Sequence, residues 1–322
     1  MDTKRILIVS SVGVPTPPTW PSDHPTDAGR LRYGGAEWVA WVVGRELAKE
    51  GHKVSMVASL DSNRDYFDPF GIEFLPTVKS AISGGIPENE SHAIWNARLK
   101  GREFDIIIDQ THRHHTFMNQ AKEPGFPPVI HVFHDDLSGA QTKLPEEITA
   151  PRICGVSFSH AAILNRVFQL QTCRALHHGV DLDEYKLYEG PRNGRALVVN
   201  RVQWFKGIWE AIQICEMAGI GLDVVGPVDH IQGDWYVPFC KQYERNGQVV
   251  FHGEVSQEKK IEMMQKASVG ISTPNHCVPP GALVTTNPGQ LPIEEVQSGQ
   301  RLLSHDGLYH ESTKRFTREY VG

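Results

Sequence analysis

Long apolar runs are missing from this chain. No stretch approaches the ~18 consecutive apolar residues that a membrane-crossing helix needs. The run behind the N-terminus, Ile6 to Ser10, is too short for the core of a signal peptide and reads as a buried strand. Cysteine is scarce: Cys154, Cys173, Cys215, Cys240 and Cys277, an odd five with no close pairing. That excludes a disulfide framework and argues for reduced thiols in a cytoplasmic protein. Basic charge is in deficit, 32 Lys and Arg against 38 Asp and Glu, so a nucleic-acid partner has no support. No internal repeat or low-complexity segment is evident. What remains is a 322-residue chain of ordinary globular balance, 40% hydrophobic and 22% charged, long enough for about two domains with a sizeable core.

The chain opens as strand, loop, helix, strand. Arg5 to Ser11 is a continuous apolar strand of the kind buried in a parallel sheet. A Pro-rich loop comes next, then Tyr33-Gly34-Gly35-Ala36-Glu37 opens a helix running to about Glu50. Val39, Val43 and Leu47 share one face of that helix, and Gly51 stands where a C-terminal glycine stops it. His52 to Ser59 is the next strand. The alternation continues through strands at Phe104–Asp109, Pro128–Phe133, Arg152–Ser157 and Thr172–His177, with a helix through Ala161 to Phe168. A second series has strands at Ala196–Asn200, Leu222–Gly226, Val249–Gly253 and Val269–Ser272, and helices at Gly207–Met217 and Gln257–Ala267, the last capped by Ser256. Two βα series predict two Rossmann-like domains, with ligands outside the carboxyl ends of the strands. After Asn275 the texture becomes all-β, with turns at Asn287-Pro288-Gly289 and Asp306-Gly307 and strands at Ala282–Thr285, Leu291–Ile293 and Arg301–Ser304.

Charged and cationic groups mark the chemistry. Arg201 leaves the end of a strand and Lys206-Gly207 stands just before a helix, so both cations can reach a phosphate at that helix N-terminus. Surface charges after a strand are commonplace, and these residues alone leave both readings open. His112, His114 and His115 form a cluster after a strand, but no cysteine or carboxylate accompanies them at a recognised metal spacing. The expectation is no metal and no cofactor beyond a substrate.

The ordered set of these segments resembles the retaining GT-B glycosyltransferases typified by glycogen synthase and sucrose synthase relatives (group 1, family 4). Asn200-Arg201 to Lys206-Gly207 is similar to the family's donor signature, with Asn200 for the usual glycine. Tyr33 to Glu37 resembles its first-domain glycine loop, with Gly34 and Gly35 over the cleft. His134 looks like its histidine near the transferred sugar. Ser157 to His160, His178-Gly179-Val180-Asp181 and Phe251-His252-Gly253 resemble its serine-containing strand end, its interdomain turn and its late glycine turn. The resemblance covers roughly residues 4–276. It implies a GT-B fold, a nucleotide-sugar donor, an unspecified acceptor, and Arg201 and Lys206 on the diphosphate. Residues 1–178 would form the acceptor-side domain and 179–276 a partial donor-side domain.

The family's E-x7-E motif should come after Asn275. The chain instead reads His276-Cys277-Val278-Pro279-Pro280-Gly281, and Cys277 to Val284, Pro292 to Val296 and Gly299 to Gly307 resemble the first splicing block of inteins. The resemblance implies a third segment, residues 277–322, in which Cys277 attacks the carbonyl of His276. It also implies a partner, a polypeptide carrying the rest of the intein and of the host. The competing expectations are an inert fragment and a nucleotide-sugar binder without catalysis.

Overall fold

A strand covered on both faces reads as a near-continuous apolar run, and β1 (Arg5–Ser10) is buried at every residue after Arg5. In the computed structural model, which describes residues 2–18, 34–81, 90–91, 104–111, 125–134, 152–168, 173–228, 236–244, 247–273, 283–287, 289–292, 295–303 and 309–311, this strand lies inside a parallel sheet, with neighbours on both edges. Its partners are β2 (Lys53–Ala58), β3 (Glu73–Pro76), β4 (Ile106–Gln110), β5 (Val129–Phe133), β6 (Ile153–Gly155) and β7 (Arg174–Ala175), in the order β3-β2-β1-β4-β5-β6-β7. A second parallel sheet holds β8 (Ala196–Val199), β9 (Leu222–Val225), β10 (Val249–Gly253) and β11 (Val269–Gly270), in the order β10-β9-β8-β11. The described helices are α1 (Gly35–Lys49), α2 (Phe158–Val167), α3 (Ile208–Ala218), α4 (Tyr236–Lys241) and α5 (Gln257–Lys266). The architecture is therefore α/β with two parallel sheets, GT-B-like.

The tail has different physics. Strands β12 (Leu283–Asn287), β13 (Gln290–Pro292), β14 (Arg301–Leu303) and β15 (Tyr309–Glu311) form an antiparallel sheet in the order β13-β12-β14-β15. Among the described residues, no strand of this sheet pairs with either parallel sheet.

The expected face of α1 is borne out in part, since Val43 and Leu47 pack at the margin of the core beneath it. Val39, Val43 and Leu47 are only partly buried, and the buried residues are Ala36, Glu37, Ala40, Trp41 and Gly44. The small residues decide this. A Cβ on Gly44 would lie 2.4 Å from Met56 Cε and 3.2 Å from Ile8 Cδ1, so the helix sits on β1 and β2 through its glycine. Trp41 then fills the space beside it, edge-on to Tyr66, Phe67 and Phe70 at centroid distances of 5.9, 5.5 and 5.7 Å. Gly51 ends the helix as expected, at φ +89, with His52 N–H on Leu47 O and Gly51 N–H on Ala48 O. Of the expected strand at Thr172–His177, whose first residue lies outside the described residues, Arg174–Ala175 forms a strand, and Val269–Ser272 shrinks to Val269–Gly270. Strands β3 and β15 and helix α4 were not expected from the sequence pattern.

Candidate functional site

Both parallel sheets reverse strand order beside their first strand, between β1 and β4 and between β8 and β11. Crevices form at such switch points, outside the carboxyl ends of the strands. In the second sheet the exit loops there are tightly interlocked. Gly207 is the N-cap of α3 at φ +68, after a single 3-10 turn over Trp204–Lys206. A Cβ on it would lie 1.7 Å from Thr273 O, and Thr273 Oγ1 donates to Gly207 O at 2.7 Å. The loop leaving β11 is thus seated on the first turn of α3. Gly226, at φ +145 after β9, approaches Asn200 in the same way, with a notional Cβ 2.0 Å from Asn200 O. Asn200 stands where the glycosyltransferase signature has glycine, and its Oδ1 accepts the Arg201 N–H at 3.2 Å. Arg201 and Lys206, the expected diphosphate contacts, both leave this interlocked region partly exposed, and Lys206 Nζ lies 5.5 Å from the Phe205 ring centre.

In the first sheet the two glycines of the α1 loop differ. Gly34 has extended backbone and is crowded, a Cβ there meeting Val14 Cγ2 at 2.1 Å and Glu37 Oε2 at 2.3 Å. Gly35 has open space around it. Glu37, only 4% exposed, accepts the Val14 N–H at 3.4 Å and so ties the loop after β1 to the helix. In this structure the close approach at Gly34 is to Val14 and Glu37. Nothing in the sequence pattern singled out Glu37.

His134 comes directly after β5. Its Nε2 lies 2.6 Å from Gln110 Oε1 at the end of β4, and its ring centre lies 5.2 Å from that of His178. Behind it, buried His131 and Asp109 pair through Nδ1 and Oδ2 at 3.0 Å, and Asp109 Oδ1 accepts both the N–H and the hydroxyl of Thr111. Burial holds the His178 imidazole below its ordinary pKa, and the charges of His160 and His177 push the same way. Ser157 caps α2, its hydroxyl accepting the His160 N–H at 3.1 Å.

The turn from His178 to Asp181 fastens to both of its neighbours in sequence and space. Asp181 Oδ2 meets Arg45 of α1 at 2.8 Å, and its carbonyl accepts from Glu184 and Tyr185. Gln257, the first residue of α5, donates to both Glu184 Oε1 and the Tyr185 hydroxyl. The backbone N–H of Asp183, with Arg45 and Lys49 nearby, holds the Asp181 carboxyl below the usual range.

Cys277, His276 and the cluster of His112, His114 and His115 lie outside the described residues. Among the described residues, no group of three or more His, Cys, Asp or Glu is placed to hold a metal ion. No helix of the described residues is long and apolar enough to cross a membrane. Gln110 and Thr273 were not anticipated from the sequence. The one available signal was their position, each just beyond an apolar strand run.

Residues 33–184 match the model of Glycosyltransferase Family 4. No curated protein matches the chain. Among solved structures, the chain is similar to AviGT4, a glycosyltransferase involved in avilamycin A biosynthesis, with 18% identity and a TM-score of 0.56 over 86% of this chain and 71% of that one. It is similar to sucrose-phosphate synthase from Thermosynechococcus elongatus, with 16% identity and a TM-score of 0.59 over 84% and 76%. It is also similar to Anabaena HepE, solved with UDP and glucose, with 16% identity and a TM-score of 0.58 over 84% and 74%. At these identities the structures speak for the fold, and the family model speaks for residues 33–184. Residues 33–184 thus carry the match to the family 4 model, and the chain around them has the two parallel sheets of a GT-B-like fold.

Proposed function

We propose that this chain binds a nucleotide sugar at the carboxyl ends of β8, β9 and β11 and serves the transfer of its sugar, with retention, to an acceptor held by the first sheet's loops. Arg201 and Lys206 neutralise the diphosphate as it leaves, aided by the backbone N–H groups at the start of α3. His134 lies at the transferred sugar. Gly34 and Gly35, in the loop of the acceptor-side domain (residues 1–178), reach over the cleft to help bind the donor held by residues 179–276. No metal is needed, because the two cations carry the charge of the leaving diphosphate. The observation that carries the reading is the seating of Thr273 on Gly207, which fixes the N-terminus of α3 beside Lys206. Calorimetric titration with UDP-, GDP- and ADP-sugars tests it. At least one should bind, and Arg201→Ala and Lys206→Ala should each weaken binding by about tenfold or more, the loss of one charged hydrogen bond. Equal affinity in both variants refutes it.

A second element of the reading concerns residues 277–322. They begin where the E-x7-E glutamates are expected, and their described strands close a sheet of their own. We read them as the N-terminal part of an intein. The Cys277 thiol attacks the His276 carbonyl carbon, the peptide C–N bond breaks, a thioester forms, and the freed Cys277 amine takes up the proton. Mixing with a polypeptide that carries the rest of the intein should yield a ligated product lacking this segment, and Cys277→Ala should abolish it. A mixture that yields no such product sinks this element and leaves the donor-site reading in place.

A further inference from the structure

We propose that Gln110 is a positioning residue that sets the tautomer of His134, so that the imidazole offers Nδ1 as an acceptor to a hydroxyl of the transferred sugar. The sugar contact rests on the proposed transferase function. The tautomer assignment stands independently of it.

Gln110 ends β4, and β4 pairs in parallel with β5 through the register Asp109↔His131, which brings Gln110 alongside the strand end that carries His134. Gln110 is 0% exposed, and its Oε1 stands 2.6 Å from His134 Nε2. A carbonyl oxygen only accepts, so His134 carries its proton on Nε2 and the neutral ring keeps Nδ1 as acceptor. The His178 imidazole lies 5.2 Å away on the segment after β7, and it is itself held low in pKa by burial, with His160 of α2 and His177 as its charged neighbours. From β4 and β5, the titratable groups behind His134 are Asp109 and His131, which are already paired with each other.

A second observation separates positioning from ordinary packing. The Gln110 amide nitrogen, Nε2, is buried and has no hydrogen-bond partner in the structure among the described residues. A buried donor without an acceptor destabilises the fold, and an apolar side chain of similar size would remove that penalty. Gln110 therefore costs stability at a site where its carbonyl orients a histidine, as expected of a residue kept for function.

The test is NMR of the full chain with isotope-labelled histidine nitrogens, the His134 signals being assigned by their loss in His134→Gln. In the wild type near neutral pH, His134 should show the Nε2–H tautomer. Gln110→Leu should give a mixture of tautomers while the melting temperature holds or rises. Gln110→Glu should restore the Nε2–H tautomer and raise the pKa of His134. A wild-type His134 protonated on Nδ1, or a tautomer unmoved by Gln110→Leu, overturns the proposal. Should the leucine variant fail to fold, the wild-type and glutamate spectra still decide it. UDP-glucose is then added as the probe. A shift confined to Nδ1 supports the sugar contact; a nucleotide sugar that binds by calorimetry without shifting Nδ1 overturns the contact alone, and failure of every nucleotide sugar to bind overturns the transferase reading, with the tautomer assignment decided separately.

Discussion

Replacing Gly207 by alanine tests the interlock at the start of α3, and the helix supplies its own control. Gly207 and Gly219 flank α3 at its two ends with nearly equal backbone angles, φ 68 and φ 67. The left-handed conformation costs an alanine about 1–2 kcal/mol at either end. The surroundings differ. A Cβ at Gly219 meets nothing within 4 Å, whereas at Gly207 it would lie 1.7 Å from Thr273 O and 2.6 Å from Thr273 C. Backbone atoms cannot swing aside, so overpacking adds about 1–3 kcal/mol at Gly207 alone. Gly207→Ala should therefore destabilise α3 by about 2–5 kcal/mol and Gly219→Ala by about 1–2 kcal/mol. Hydrogen exchange at the α3 amides reads the local difference without requiring the whole chain to unfold in one step. Relief of the clash would shift the loop after β11, so donor affinity should fall in Gly207→Ala and hold in Gly219→Ala. Equal destabilisation with equal donor affinity would refute the interlock.

Trp41, 2% exposed and ringed by Tyr66, Phe67 and Phe70, should cost about 3–5 kcal/mol on truncation to alanine, read by urea unfolding of the first sheet's lobe. Ser256 accepts the Lys259 N–H at 3.2 Å as the cap of α5, so Ser256→Ala should cost about 1 kcal/mol and Ser256→Asp should retain the cap. His178 is held below its ordinary 6.5 by burial, so the unfolded chain binds its proton more readily than the folded one. Its contribution to stability is complete above that ordinary value and drains away as pH falls below it, and His178→Gln should flatten the dependence of the urea midpoint on pH in that window.

How much was legible depended on whether the signal was local. The β1 run needs only its own residues to declare itself, because a strand covered on both faces reads as a near-continuous apolar run. Ser256 and Gly51 act within one helical turn, and both were placed correctly. The face of α1 was read only in part: Val43 and Leu47 pack at the margin of the core, while the buried residues are Ala36, Glu37, Ala40, Trp41 and Gly44. Contact with the sheet was decided instead by the absence of a side chain at Gly44, which hydrophobicity does not register. Strand β3 hides behind a charged first residue and a closing proline, Glu73 and Pro76. Other contacts are invisible because their partners are remote. Asp223 looks like an interruption of an apolar strand until Arg195 and His252 are seen to bind its two oxygens, each at 2.9 Å. Gln110 similarly acquires its meaning from His134, 24 residues on.

The contrast between the sheets comes from how each closes. Parallel strands need crossovers, so the ladders of β1 to β7 and β8 to β11 join segments far apart in sequence and depend on helices such as α1 and α3 to cover them. The tail closes locally. Thr286 N–H reaches Gly289 O at 2.7 Å with Gly289 at φ +85, a tight turn that returns the chain at once into β13. β12 then pairs with β14 as well as β13, so the sheet grows from hairpin contacts within its own segment. Such a unit sets its register internally. Removing it takes no ladder bond from β11, whose described partner is β8 through Val269↔Ala196 and Gly270↔Leu197. At the edge of the second sheet the loop after β11 is anchored independently of that unit, through the Thr273 hydroxyl on Gly207 O.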